Sequence, residues 1–211
     1  MEWTEMKKLR IAVLGSTNGS DLPAIIDAVK RGELNAEIVA VISNKQDAGI
    51  LGKARAAGIE ALFIDAKQFD SREKFDEKIV QELKKRKTEL VLLIGYMKIV
   101  TPIFVHAFEN RIMNIHPSLL PAFAGGMDKD VHSEVLNAGV SVTGCTLHFV
   151  TEEVDAGPVI LQKAVKIENN DTVDSLKEKV QKAEQEIIIK AIKLFSEGKI
   201  HVKKGKVEID G

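Results

Sequence analysis

With 211 residues, 45% of them apolar, the chain is long enough to bury a sizeable core, and we expect one domain spanning residues 1–211. Its 30 basic and 31 acidic side chains leave a net charge of -1, which argues against a nucleic-acid partner because such partners need a basic excess. No apolar run reaches the ~18 residues of a membrane span, segment 1–10 is unlike a secretory leader, and the lone Cys145 excludes an internal disulfide. We therefore expect a cytoplasmic protein that contacts no membrane.

The first half of the chain alternates predicted strands with predicted helices. Short apolar runs closed by turn residues predict strands at 9–14, 38–42, 61–64, 90–94 and 112–115. Helical spacing of apolar residues predicts helices between them at 22–31, 50–57, 71–85 and 102–108. This alternation is typical of βαβ units, so it predicts a Rossmann-like α/β fold with a mostly parallel sheet flanked by helices.

The pattern changes after Pro117. Segment 118–129 contains a Gly-Gly pair and predicts a long loop, followed by a short helix at 130–138. Strands predicted at 141–150 and 159–167 have no helix between them, which favours an antiparallel extension of the sheet. A long amphipathic helix at 172–195 and a small hairpin within 201–209 complete the predicted elements.

A glycine-containing loop, Gly-Ser-Thr-Asn-Gly-Ser-Asp at 15–21, joins the first strand to the first helix. Backbone N–H groups of such a turn, together with a helix N-terminus, form an anion-binding site in open α/β sheets. The loop is neither a dinucleotide nor a Walker fingerprint. An ordinary helix start with Ser20 or Asp21 as the N-cap explains it equally well.

A second polar group, Asn-Ile-His-Pro at 114–117, lies at the end of a predicted buried strand, where ligand crevices of such sheets are found. Alternation puts Asn114 and His116 on the face opposite Ile115, so that an amide donor and an imidazole point together at one carbonyl oxygen. A single histidine is otherwise a satisfied structural residue, but this placement favours a functional role.

A third motif, Val-Asp-Ala-Gly-Pro at 154–158, lies between the last two predicted strands of the sheet. By itself it is typical of a plain turn. Asp155 would also supply a carboxylate partner for His116, and such a partner keeps an imidazole protonated.

The sequence gives no sign that the remaining histidines or the cysteine act in catalysis or bind a metal. The histidines show no ligand spacing, so no metal site is expected; they are His106, His132, His148 and His201. Cys145 falls on the apolar side of its strand and is expected in the core, whereas His148 is expected on the side that carries Thr146.

Five segments together resemble one family. They are the loop at 15–21, Phe-Asp-Ser-Arg at 69–72, Gly-Tyr-Met-Lys-Ile at 95–99, Asn-Ile-His-Pro-Ser-Leu-Leu-Pro at 114–121 and the motif at 154–158. The glycinamide ribonucleotide formyltransferases, a family of folate-dependent formyl-transfer enzymes, carry these motifs in the same order. The resemblance covers about residues 9–198.

The resemblance implies that 10-formyltetrahydrofolate, as a cosubstrate and without a metal, donates its formyl group to the amine of glycinamide ribonucleotide in purine biosynthesis. It implies a catalytic trio of Asn114, His116 and Asp155. The residues implied for the substrate phosphate and ribose are Asn18, Gly19, Ser20, Asp21, Arg72, Gln181 and Glu184. Those implied for folate are Met97, Lys98, Ile99, Val100 and Asp155. The partners implied are small molecules only, bound by a monomer or homodimer.

The chain departs from the family pattern at three places. Asp21 stands where an asparagine is usual, which puts a carboxylate beside the expected phosphate. Lys98 stands where an arginine is frequent, so the bidentate fork is lost. The loop 122–130 differs from the usual stretch, so no folate contacts are predicted for it.

Three other functions compete with this interpretation. A formyltetrahydrofolate hydrolase would use the same trio with water, but a regulatory domain is expected before it, and only residues 1–8 precede the first predicted strand. A methionyl-tRNA formyltransferase would carry about 100 further basic-rich residues after the catalytic part. A non-catalytic phosphate- or nucleotide-binding module is opposed by the intact trio.

Overall fold

A computed structural model describes the backbone of residues 7–125 and 128–211, with the side chains of all these residues except 128–130. Its main sheet has seven strands in the order β3-β2-β1-β4-β5-β6-β7. In chain order they are β1 (Leu9–Leu14), β2 (Ala36–Ser43), β3 (Ala61–Phe63), β4 (Leu90–Leu93), β5 (Ile112–His116), β6 (Val142–Phe149) and β7 (Val159–Lys166). Strands β1 to β5 are parallel, whereas β6 pairs antiparallel with both β5 and β7. The predicted α/β class with an antiparallel extension is confirmed.

Helices cover both faces of this sheet. They are α1 (Leu22–Lys30), α2 (Gly49–Ala56), α3 (Arg72–Lys85), α4 (Pro102–Ala107), α5 (Asp128–Asn137) and α6 (Val173–Ser196). A separate hairpin of β8 (Ile200–Lys203) and β9 (Lys206–Ile209) follows α6. Helix α5 begins two residues before its predicted start, and residues 126 and 127 of the predicted loop lie outside the described residues. A short 3-10 helix at Ala66–Gln68 was not predicted.

The core consists of two apolar layers, one on each face of the sheet. Alternation along β1 sends Ile11 and Val13 to the layer under α1, α2, α5 and α6, and Ala12 and Leu14 to the layer under α3 and α4. Interior parallel strands are apolar on both sides, as β4 illustrates with four buried residues in succession. Cys145 is fully buried in the first layer, as predicted.

Local capping fixes the two helices that matter most for the site. At the start of α3, the Ser71 hydroxyl accepts a hydrogen bond from the Lys74 backbone N–H at 3.2 Å. At the start of α6, Thr172 and Ser175 form a reciprocal capping box. None of the described helices is long and apolar enough to cross a membrane.

Candidate active site

A cleft of about 260 Å³ opens at the carboxyl ends of the central parallel strands. Its walls come from the turn after β1, the segment that follows β4, the end of β5, the loop after β6 and one face of α6. This edge of an open α/β sheet is where ligands bind, because loops diverge there and leave a crevice. The three motifs singled out in the sequence therefore meet in one place.

The end of β5 presents two polar side chains to this cleft. Asn114 and His116 lie two residues apart on the strand, and both line the cleft. The loop after β6 brings Asp155 beside them, with Oδ2 at 3.4 Å from His116 Nδ1. The structure thus places the predicted trio together, although His116 and Asp155 are 39 positions apart in the sequence.

Asp155 is held as an ionised acceptor. It adopts a left-handed backbone conformation with φ of 54°, and its Oδ2 accepts a hydrogen bond from the Gly125 backbone N–H at 2.9 Å. The neighbouring His148 imidazole has the largest effect in holding the pKa of the Asp155 carboxyl below its usual range. The Gly125 N–H and the charge of His116 act in the same direction, while burial opposes them.

His148 belongs to the site, and sequence reasoning missed its role. It lies opposite Asn114 in the β5–β6 register, and its Nε2 is 3.2 Å from Asn114 Nδ2 and 3.6 Å from Asp155 Oδ1. Its Nδ1 donates to the Phe149 carbonyl at 2.9 Å, which fixes the ring so that Nε2 faces both the Asn114 amide and the Asp155 carboxylate. His148 thereby orients the amide.

The other nitrogen of His116 is occupied by the loop after β5. His116 Nε2 donates a hydrogen bond to the Phe123 carbonyl at 2.9 Å. Thr146, opposite His116 in β6, anchors the same loop, because its hydroxyl accepts from Leu120 N at 2.9 Å and donates to the Ser118 carbonyl at 2.7 Å. Both imidazole nitrogens of His116 therefore face oxygen acceptors.

The turn after β1 forms the opposite wall. Gly19 has φ of 62°, and a Cβ there would lie 2.4 Å from the Ile50 side chain, so glycine is required for both reasons. Asp21 is the N-cap of α1, but its side chain makes no capping hydrogen bond. Ser20 and Asp21 line the cleft. Asn18, which was predicted at the phosphate site, is exposed and is not among the described residues that line the cleft.

Helix α6 supplies the wall facing that turn. Gln181 and Glu184 line the cleft, and Glu184 is only 6% exposed. Gln185 Nε2 also reaches the Ser20 carbonyl at 3.4 Å, which ties the helix to the turn. The predicted partners Ser20, Gln181 and Glu184 are thus brought together.

The segment after β4 is held from two sides. The Ser16 hydroxyl accepts from the Met97 backbone N–H at 2.9 Å. On the other side, Arg72 Nη2 donates to the Ile99 carbonyl at 2.7 Å, and the buried Asp76 accepts from the Thr101 backbone N–H at 2.6 Å. Burial raises the pKa of the Asp76 carboxyl, while the hydrogen bonds from Thr101 oppose that change. The first two turns of α3, together with Ser16, therefore fix the shape of this segment.

Arg72 accordingly lies elsewhere than its predicted role requires. The resemblance put it with the phosphate, but its guanidinium contacts Ile99, which belongs to the predicted folate segment. It is also not among the described residues that line the cleft. The reason is that the start of α3 packs against the segment after β4, whereas the β1 turn packs against α2. This contact favours a role for Arg72 beside the predicted folate segment rather than at the phosphate turn.

The resemblance implies a folate donor and an amine acceptor as substrates. For these, we expect Arg72→Ala to raise the KM of the donor about fivefold, because a net hydrogen bond of ~1 kcal/mol that shapes the segment is lost. The acceptor KM should stay within about twofold of wild type. Initial rates with one substrate varied and the other saturating measure both values. A rise confined to the acceptor KM would restore the phosphate assignment.

Gly157 fixes the loop that carries Asp155. A Cβ at this position would lie 1.8 Å from the Phe149 carbonyl oxygen, so an alanine forces the backbone to move. We expect Gly157→Ala to lower the free energy of unfolding by about 1–3 kcal/mol, as overpacking does, and to lower kcat because Asp155 shifts. Urea unfolding and initial rates measure the two effects.

The control for this prediction is Gly52→Ala. Gly52 lies inside α2, and a Cβ added there would point into open space, so an alanine should stabilise the protein by about 0.5–1 kcal/mol. Unchanged stability and activity in Gly157→Ala would show that the Asp155 loop is not held as the structure indicates.

The fold and the site together define an α/β protein of the open-sheet class, with its ligand cleft at the strand carboxyl ends. Among the described side chains, those of residues 7–125 and 131–211, no group of three or more His, Cys, Asp or Glu residues is placed to hold a metal ion.

Comparison with known proteins identifies one family within this fold class. Residues 9–192 match the formyl transferase family. The chain is 40% identical to phosphoribosylglycinamide formyltransferase of Escherichia coli (strain K12), over 96% of this chain and 94% of that protein. It is 45% identical to the trifunctional purine biosynthetic protein adenosine-3 of Gallus gallus, over 94% of this chain but only 19% of that protein. The chain therefore spans about a fifth of the length of this relative.

Solved structures agree with the sequence comparison. The crystal structure of glycinamide ribonucleotide transformylase 1 from Symbiobacterium toebii superposes with a TM-score of 0.93 at 42% identity, covering 97% of this chain and 95% of that one. The chain belongs to the formyl transferase family, and the resemblance drawn from its motifs is confirmed.

Proposed function

We propose that this chain transfers the formyl group of 10-formyltetrahydrofolate to the amine of glycinamide ribonucleotide, a step of purine biosynthesis. One observation carries the proposal: Asn114, His116 and Asp155 converge in a cleft between the β1 turn and the segment after β4. The match to the E. coli relative along almost the full length of both chains supports the choice of acceptor.

The acceptor phosphate would bind at the β1 turn. Backbone N–H groups of Gly19 and Ser20, at the start of α1, offer oriented donors with the helix dipole behind them. Gln181 and Glu184 face the turn from α6 and would contact the ribose hydroxyls. The amine of the acceptor then points along the cleft toward the end of β5.

Folate would bind along the segment after β4. Met97, Lys98, Ile99 and Val100 line the cleft on this side. Lys98 Nζ lies 5.5 Å from the centroid of the Phe75 ring, a cation–π contact that leaves an ammonium beside the segment for an anionic group of the folate. Asp155 stands where the two predicted sub-sites meet.

The chemistry begins with attack of the acceptor amine on the formyl carbon. A new C–N bond forms, and the carbonyl oxygen becomes the oxyanion of a tetrahedral intermediate. The Asn114 amide, oriented by His148, donates to that oxygen. His116 donates through Nε2 once the oxyanion replaces the Phe123 carbonyl as its acceptor. Each such donor is typically worth ~3 kcal/mol in the transition state.

Asp155 supports the collapse of this intermediate. Its lowered pKa keeps it anionic beside His116 Nδ1, which favours the imidazolium that the oxyanion needs. The proton lost by the attacking amine moves, with Asp155 assisting through water, to the departing N10. The C–N10 bond then breaks to give tetrahydrofolate and the formylated acceptor. The cytoplasmic location, the metal-free chemistry and the monomer or homodimer state stay predictions.

The test is the rate of tetrahydrofolate formation with and without glycinamide ribonucleotide. We expect slow formation from the donor alone and rapid formation once the acceptor is added, because binding energy from the remote phosphate positions the amine. Fast tetrahydrofolate formation at the same rate with and without the acceptor would identify a hydrolase. A protein that binds both ligands yet forms no product would be a binding module, and either result would reject the proposal.

A further inference from the structure

The proposed phosphate turn carries an acidic side chain. Asp21 follows Ser20 directly, lines the cleft and is only 5% exposed. A carboxylate in a half-enclosed wall repels a phosphate dianion, because the local dielectric is lower than in water. The backbone N–H donors of the turn attract the phosphate, whereas the Asp21 carboxylate repels it. A nearby cation would therefore strengthen phosphate binding.

Lys53 is placed behind that turn. It lies on α2, and its Nζ donates to the Asn18 carbonyl at 2.6 Å. The same helix packs on the turn through the Ile50 backbone N–H, which donates to the Thr17 carbonyl at 3.2 Å. The contact with the Asn18 carbonyl puts an ammonium on the turn that carries Asp21. Burial lowers the pKa of this ammonium, and the charge of Asp21 opposes that change.

We propose that Lys53 is a positioning residue of the acceptor site, whose charge offsets Asp21 so that the turn at Gly19 and Ser20 accepts a phosphate dianion. This inference rests on the proposed function, since it assumes that the acceptor phosphate binds at this turn. It adds a residue that does not line the cleft. It also assigns to the Lys53–Asp21 pair the preference of this site for acceptors that carry a phosphate dianion over acceptors that carry none.

A purely structural role for Lys53 must be separated from this one. Its hydrogen bond to the Asn18 carbonyl also holds the turn in shape. Removing the ammonium would loosen the turn whether or not Asp21 is charged, whereas an electrostatic role disappears once Asp21 is neutral. A double-mutant cycle of Lys53 and Asp21 therefore distinguishes the two roles.

The experiment measures the Kd of glycinamide ribonucleotide by calorimetry, without folate, for wild type, Lys53→Met, Asp21→Asn and the double variant. We expect Lys53→Met to weaken binding about tenfold and Asp21→Asn to tighten it severalfold. The double variant should bind about as tightly as Asp21→Asn alone, because no carboxylate remains for Lys53 to offset. Arg55→Met is the matched control, because Arg55 is an exposed cation on the same helix; its Kd should not change.

Two results would overturn the inference. Wild-type affinity in Lys53→Met would show that its charge is not used. A double variant about tenfold weaker than Asp21→Asn would show that Lys53 acts on the shape of the turn whatever the charge of residue 21. If wild type binds no glycinamide ribonucleotide at all, the proposed function itself fails, and the inference fails with it.

Discussion

His116→Ala is expected to lower kcat by at least about 100-fold while the protein remains folded, because a donor to the oxyanion is removed from the transition state. The same reduction is expected for Asn114→Ala, which removes the amide donor, and for Asp155→Ala, which removes the anion beside His116. Single-turnover rates with both substrates saturating measure the effect, and circular dichroism with urea unfolding verifies the fold.

His201→Ala is the matched control for this series. His201 lies in the β8–β9 hairpin and pairs with Asp210 at 2.9 Å, and it is not among the described residues that line the cleft. Its removal should leave kcat unchanged. A folded His116→Ala variant with a turnover number near that of wild type would remove His116 from the chemistry.

Removing the phosphate from the acceptor is expected to weaken its binding by at least about 100-fold, because each charge-assisted hydrogen bond is worth about 1.5–3 kcal/mol. Binding of the riboside and the ribonucleotide, measured by calorimetry, gives the ratio directly. Inorganic phosphate should compete with the ribonucleotide and leave folate binding unaffected. Equal affinities of the two acceptors would mean that the turn at Gly19 and Ser20 binds no phosphate.

Much of this fold follows from local patterns in the sequence. The apolar run 90–94 predicts an interior strand, and β4 is buried on both faces as that pattern requires. The capping residues before residue 173 predict the start of α6, and Thr172 is its N-cap. Two strands without an intervening helix predict an antiparallel pair, and β6 and β7 form one.

The parts that were missed depend on contacts distant in the chain. His148 acts on Asn114 because the β5–β6 register sets them opposite each other, and that register depends on the 25 residues between the two strands, which no local pattern specifies. Arg72 contacts Ile99 because the first turn of α3 packs on the segment after β4. Lys53 reaches the β1 turn only because α2 lies against it.

The fate of the formyl carbon tests the central claim most directly. The protein, in excess over donor labelled with ¹³C in its formyl group, is mixed with saturating glycinamide ribonucleotide, and the products are identified by NMR. We expect nearly all of the label as a formamide on the acceptor nitrogen, with only a trace as formate. Label recovered mainly as formate while the acceptor is bound would show that the acceptor only activates hydrolysis, and it would contradict formyl transfer by this site.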